Sequence, residues 1–176
     1  MSLEVITGPM FSGKSTELIR RARIAKLSGK SVLMVKPSID IRYSENEIVT
    51  HDFDKEKCIK INNLIDIVDY LENDAIDVIA IDEIQFFNNG VVELLKKLSS
   101  KYRVIISGLD MDFEQNPFND IPILLAIADD VVKLKAICTC CGNSAMYSKR
   151  ISQHKQKILI GTKAYQARCA KCFDKE

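Results

Sequence analysis

Ser2-Leu3-Glu4-Val5-Ile6-Thr7-Gly8-Pro9-Met10-Phe11-Ser12-Gly13-Lys14-Ser15-Thr16-Glu17-Leu18-Ile19 opens the chain and decides its fold. The β-branched run through Thr7 reads as a strand that Gly8 ends. From Lys14 to about Leu27, the apolar residues Leu18, Ile19, Ala22 and Ala25 recur near helical spacing, and Ser28-Gly29-Lys30 closes that helix. Between the two elements, Gly8-Pro9-Met10-Phe11-Ser12-Gly13-Lys14-Ser15 fits G-x-x-x-x-G-K-[ST]. The glycines let the backbone curl so that successive N–H groups face phosphate oxygens, and the helix N-terminus adds its dipole. Lys14 then reaches the β/γ-phosphates and Ser15 offers its hydroxyl to Mg²⁺. The expected ligand is a nucleoside triphosphate, ATP first.

Further along, Ser31–Val35, Asp77–Ile81, Val104–Ser107 and Val131–Ile137 read as buried strands. Asn62–Leu71, Val91–Leu98 and Ile121–Ala128 read as helices, with Asn116-Pro117 as the start of the last. Continuous apolar strands alternating with helices imply an α/β fold: a mostly parallel sheet of the P-loop NTPase (RecA-like) kind, flanked by helices. Pro37–Glu56 is polar and without periodicity, a long loop of the sort usually kept for function.

Val78-Ile79-Ala80-Ile81-Asp82-Glu83 delivers two carboxylates at a strand's C-terminal end, where open α/β sheets bind ligands. Asp82 is the natural partner of the Mg²⁺ held by Ser15. Glu83, on the other side, is placed to take a proton from whatever attacks the γ-phosphate. Water in that role makes an ATPase; a substrate hydroxyl makes a kinase.

The 176 residues carry 25 Lys+Arg against 24 Asp+Glu, a net charge of +1 that argues against bulk binding of nucleic acid or anionic membrane. No apolar run approaches the about 18 residues of a membrane span, and no leader pattern follows Met1, so a cytoplasmic location is expected. The charge is uneven: residues 138–176 hold eight basic and two acidic side chains, while 1–137 hold 17 basic and 22 acidic. Five of the six cysteines also fall in that basic tail. Two modules are expected, a phosphate-binding core over 1–137 and a metal-binding tail over 138–176. Cys138-x-x-Cys141 and Cys169-x-x-Cys172 give four thiolates at tetrahedral Zn²⁺ spacing, a closed and therefore structural set. Disulfides are the alternative, disfavoured in a reducing compartment. Cys140 could replace Cys141, although the x-x spacing favours Cys141; Cys140 and Cys58 are otherwise small bystander thiols.

Together, residues 8–16, Asp82-Glu83-Ile84-Gln85-Phe86-Phe87, Gly108-Leu109-Asp110 and the two Cys-x-x-Cys pairs resemble the thymidine kinases of the zinc-containing cellular type. Asp40-x-Arg42-Tyr43-Ser44, Thr50-His51-Asp52 and Tyr147-Ser148-Lys149-Arg150 extend the likeness to nearly the whole chain. The resemblance implies transfer of the ATP γ-phosphate to the 5′-hydroxyl of thymidine or deoxyuridine, with Glu83 as catalytic base. It implies that the phosphate loop (Gly8 to Ser15), Arg42, Asp82 and Gln85 serve ATP, with Mg²⁺ on Ser15 and Asp82. Met10, Phe86, Leu109, Phe113 and Ser148 would wall the nucleoside pocket. A lasso between the cysteine pairs would close it through Gly161, Thr162, Lys163, Ala164 and Tyr165, with Tyr165 reaching the sugar 3′-hydroxyl. The resemblance further implies a homotetramer inhibited by thymidine triphosphate. Two positions depart from the family pattern: Ile160 precedes Gly161, and Ser148 stands where threonine is common. A competing reading, a nucleic-acid-stimulated P-loop ATPase with a zinc ribbon, draws on the basic tail. That tail, however, offers only the widely spaced Tyr147, Tyr165 and Phe173 for base stacking.

Overall fold

The computed structural model describes residues 1–40, 47–49, 55–71, 75–87, 90–152 and 164–175. In chain order the elements are β1 (Ser2–Thr7), α1 (Lys14–Leu27), β2 (Val32–Pro37), β3 (Glu47–Val49), β4 (Lys55–Lys57), β5 (Ile59–Ile61), α2 (Val68–Leu71), β6 (Val78–Ile81), α3 (Val91–Ser99), β7 (Arg103–Gly108), α4 (Ile121–Ile127), β8 (Asp130–Lys133), β9 (Ala136–Ile137), β10 (Ser144–Ala145), β11 (Tyr147–Arg150) and β12 (Tyr165–Arg168). Six of these strands form one sheet in the order β5-β2-β6-β7-β1-β8, and each described pairing within it is parallel. All its C-terminal strand ends therefore face the same way. The α/β architecture with helices on both faces is as expected.

Alternation along each strand divides the apolar side chains between two cores. Leu3, Val5, Val35, Ile79, Ile81, Val104 and Ile106 face α3 and α4, while Ile6, Met34, Val78, Ala80 and Ile105 face Leu18, Ile19, Ala22 and Ala25 of α1. A fully buried side chain of this size contributes about 2 kcal/mol each, so both helix layers are held firmly. Truncating Leu95, which is wholly buried under the sheet, would cost about 2–5 kcal/mol.

Five details differ from expectation. The sheet gains β5, a strand too short to declare itself by alternation. The long polar segment contains the antiparallel pair β3–β4. The apolar run 131–137 splits: β8 lies parallel to β1, whereas β9 turns away and pairs antiparallel with β10 beside the cysteines. Asn62–Leu71 is a 3-10 turn (Leu64–Ile67) running into the single α-turn of α2. Asn63 and Asp66 form a reciprocal cap at its start. Finally, Pro117 bridges to Met111, and α4 starts only at Ile121, with Asp120 as N-cap and a proline in its first turn.

The tail is a small lobe. β9–β10 and the ribbon β11–β12 surround a core of Ala136, Cys138, Ala145, Ala167, Cys169 and Cys172. Tyr147 and Phe173 meet edge to face at 5.4 Å on its flank. No helix among the described residues is long and apolar enough to cross a membrane.

Candidate active site

The strand order sets what meets what. β1 ends in the phosphate loop and β6 ends in Asp82-Glu83, with β7 between them. Positive φ at Gly8 (141°), Phe11 (66°) and Gly13 (83°) winds the loop. Gly8 admits no side chain, since a Cβ there would lie 2.4 Å from the Leu134 carbonyl oxygen. Gly13 caps α1 without any side-chain bond to the first helical N–H groups, leaving them for an anion. Lys14 is buried and its Nζ donates to the Pro9 carbonyl at 2.8 Å. The Ser12 hydroxyl is buried with no hydrogen-bond partner among the described residues. An orphan hydroxyl within a ring of backbone N–H groups suits a phosphate oxygen.

The Ser15 hydroxyl donates to Asp82 Oδ2 at 2.8 Å. Asp82 Oδ1 accepts from the Glu83 N–H at 3.0 Å and from the Ser107 hydroxyl. Ser107, on β7, thus links the acid to the strand that separates it from the phosphate loop. Two hard oxygens, Ser15 Oγ and Asp82 Oδ2, side by side at the loop's exit make a donor set suited to Mg²⁺.

Glu83 takes a left-handed backbone (φ 51°, ψ 44°) as the chain leaves β6 for a 3-10 turn, Ile84–Phe86. Its Oε2 accepts from Gln85 Nε2. Gln85 is almost wholly buried; its Oε1 accepts the Leu109 N–H at 3.1 Å and its carbonyl accepts Asn119 Nδ2 at 3.0 Å. Gly108 leaves room for this, because a Cβ would lie 2.6 Å from Gln85 Oε1.

Three of the aromatic and apolar residues expected in the pocket, Phe86, Leu109 and Phe113, follow the ends of β6 and β7. Phe86 meets Phe118 edge to face at 6.3 Å. The ribbon lies over this edge: Met10 N–H donates to the buried Ser148 hydroxyl at 2.9 Å, joining phosphate loop and tail lobe. Tyr165 faces Arg150 across the ribbon and Ala164 accepts the Ile151 N–H at 2.9 Å. Arg42, Gly161, Thr162 and Lys163 lie outside the described residues.

In the lobe, the Sγ atoms of Cys138, Cys141, Cys169 and Cys172 all lie within 4.8 Å of one another. Cys141 and Cys169 are 3.7 Å apart, against about 3.8 Å for the edge of a zinc–thiolate tetrahedron. None of the six cysteines is joined in a disulfide, in keeping with a metal-binding set. Cys141, not Cys140, completes the four; Cys140 takes a bond from Arg168. Cys172 is pushed up to about 12 by desolvation and by the neighbouring sulfurs, whereas Cys138 is drawn down to about 6, desolvation opposing and the backbone N–H groups of Cys169, Cys140 and Cys141 prevailing. Such crowded sulfurs call for a cation. Cys58, half-buried, is pushed up to about 11 by desolvation and stays an inert thiol.

Sequence reading missed Ser107, Asn119 and Arg150. Ser107 left a signal as the polar residue ending a buried strand, and Arg150 as the last residue of the matched Tyr147–Arg150 stretch; Asn119 left none.

A parallel sheet whose edge carries a phosphate loop and, one strand away, an acid gripping that loop's serine defines a P-loop nucleotide-binding protein. A family model described as thymidine kinase matches residues 1–173, and the chain belongs to that family. It is 48% identical over 172 residues to a thymidine kinase of Mycoplasma mobile, covering 97% of this chain and 86% of the relative. It is 44% identical to thymidine kinases of Porphyromonas gingivalis (99% of this chain, 85% of the relative) and Bacteroides thetaiotaomicron (97% and 86%).

Proposed function

We propose that the protein transfers the γ-phosphate of ATP to the 5′-hydroxyl of thymidine or deoxyuridine, giving the nucleoside monophosphate and ADP. The observation that carries this reading is the Met10–Ser148 bond, which sets the β11–β12 ribbon directly on the phosphate loop.

In this reading Glu83, held by Gln85, accepts the 5′-hydroxyl proton as that oxygen bonds to the γ-phosphorus and the bond to the β-phosphate oxygen breaks. Lys14, the loop N–H groups, Ser12 and Arg42 take up the phosphate charge. Ser15 and Asp82 would hold Mg²⁺, which would supply charge neutralisation for the phosphates. Met10, Phe86, Leu109 and Phe113 enclose the base, Ser148 and residues 161–165 close over it, and Tyr165 meets the sugar 3′-oxygen. The chain divides into a core (1–137) and a lobe (138–176) in which Cys138, Cys141, Cys169 and Cys172 bind structural Zn²⁺. We further infer a cytoplasmic homotetramer, with thymidine triphosphate filling nucleoside pocket and phosphate loop together as a feedback inhibitor.

The test is a phosphate-transfer assay with Mg-ATP across the natural nucleosides, with single-stranded DNA as a separate arm. Equal yields of dTMP and ADP are expected, with no response to DNA. ADP release indifferent to thymidine would sink the reading.

A further inference from the structure

The ribbon's inner face carries two rungs. Ser148 pairs with Ala167, and both are buried, Ser148 bonding Met10 of the phosphate loop; two residues further on, and so on the same face, Arg150 pairs with Tyr165. This second rung also reaches the core. The Arg150 guanidinium carbon lies 3.7 Å from the centroid of the Phe113 ring, in the loop after β7, and 5.3 Å from that of Tyr165. Its Nη2 donates to the Tyr165 hydroxyl at 2.7 Å. The next backbone bond, from Ile151 N–H to the Ala164 carbonyl at 2.9 Å, holds the rung beyond.

We propose that Arg150 is a positioning residue for the nucleoside: it fixes the Tyr165 hydroxyl as a hydrogen-bond donor to the sugar and clamps the ribbon onto Phe113. This rests on the reading that the cleft takes a nucleoside at Tyr165. The argument is one of donor inventory. A guanidinium has only donors and stays protonated, so the Tyr165 proton cannot be given to Arg150. With its oxygen accepting from Arg150, the phenol is left to donate elsewhere, and the positive charge beside it strengthens that donation. The sugar 3′-oxygen is an acceptor for it; a sugar with hydrogen alone at C3′ is not. Meanwhile the planar guanidinium stacked on Phe113 sets the height of the ribbon above the base pocket. Arg150 therefore reads the sugar through Tyr165 and touches no reacting atom.

The experiment compares thymidine with 3′-deoxythymidine as substrates for the wild-type protein and for Arg150→Gln, Arg150→Lys, Tyr165→Phe and the Gln/Phe double variant. Arg150→Gln is expected to raise the thymidine KM about ten-fold with kcat and the ATP KM held within about two-fold. The KM for 3′-deoxythymidine should barely move, so the preference for the 3′-hydroxyl falls about ten-fold. Tyr165→Phe should do the same, and adding Arg150→Gln to it should cost at most about two-fold more, the signature of two groups acting as one. Arg150→Lys, which keeps the charge without the planar fork, should recover part of the loss. Zinc content and far-UV circular dichroism identify folded variants, and Arg150→Lys carries the comparison if the glutamine variant does not fold. A folded Arg150 variant with wild-type 3′-hydroxyl preference overturns the role of Arg150, as does one that changes only kcat or the ATP KM. A wild-type protein that phosphorylates neither nucleoside overturns the reading of the cleft itself.

Discussion

Glu83 is a non-glycine residue held at φ 51°, where its Cβ crowds the backbone. Such a conformation costs about 1 kcal/mol and persists only where its surroundings impose it. Here they do: the Glu83 N–H is bound by Asp82 and its carboxylate by Gln85. Glu83→Gln keeps size and backbone, and is expected to cut turnover at least about 100-fold while leaving ATP affinity nearly intact. Glu83→Asn should be as inactive yet more stable by up to about 1 kcal/mol, because asparagine tolerates this backbone region better. Turnover, ATP titration and thermal melts of the two variants read both halves; an active glutamine variant removes Glu83 from the base role.

Among the elements, α1 shows what one helix does besides carrying the phosphate loop. Its Arg21 bonds Glu17, Glu4 of β1 and Asp130 of β8 at 2.6–2.9 Å, and Arg103 of β7 also holds Glu4. The Glu17 carboxyl, bound by Arg20 and then Arg21, is drawn from 4.5 down to about 2. Glu4 and Glu56 are also lowered: burial raises each, and Arg103 with Arg21, or Lys26 with Arg23, outweighs it. A lowered folded-state value means stability that is present above about pH 4.5 and lost as pH falls toward about 2. Melting temperature should therefore stay flat down to about pH 5 and drop below it. Arg21→Gln should cost about 1 kcal/mol at neutral pH and flatten that acid limb. An unchanged limb in Arg21→Gln would remove the network from the account. The same scale shows how far the sequence could be read. The phosphate loop, the acidic end of β6 and the cysteine pairs are contiguous, so their chemistry was legible along with the strands and helices around them. β5 and the break between β8 and β9 were not, because both depend on which strand is the neighbour. Ser107 and Asn119 likewise join the site only through β7 and the turn before α4. Pro122 carries the helix-start signal, five residues beyond the Pro117 that the sequence suggests.

For the whole molecule, the question is what holds the lobe on the core. The lobe's interior is three alanines and three thiols. At about 0.8 kcal/mol per methyl, the alanines offset about 2–3 kcal/mol, while each ordered residue costs about 1–2 kcal/mol of backbone entropy. Burial alone loses that comparison, and zinc on the four thiolates, with an apparent binding free energy of about 10–16 kcal/mol, would reverse it. The core has two apolar layers of its own and owes the metal nothing. Zinc removal should thus separate the two halves of the site. Ser148 would leave Met10 and Arg150 would leave Phe113, while the phosphate loop stayed folded on β1 and α1. After treatment with a chelator and resupply of excess Mg²⁺, helical circular dichroism and binding of a fluorescent ATP analogue should hold within about two-fold, while thymidine phosphorylation falls at least about ten-fold and returns with added Zn²⁺. Limited proteolysis should then cut first within residues 138–175. If the chelated protein instead kept its thymidine KM, the cysteines would not be what seats the ribbon; if it unfolded in one step, the core's independence would be wrong. The first result would move the ribbon's support from the metal to the sheet; the second would make the sheet itself depend on the metal.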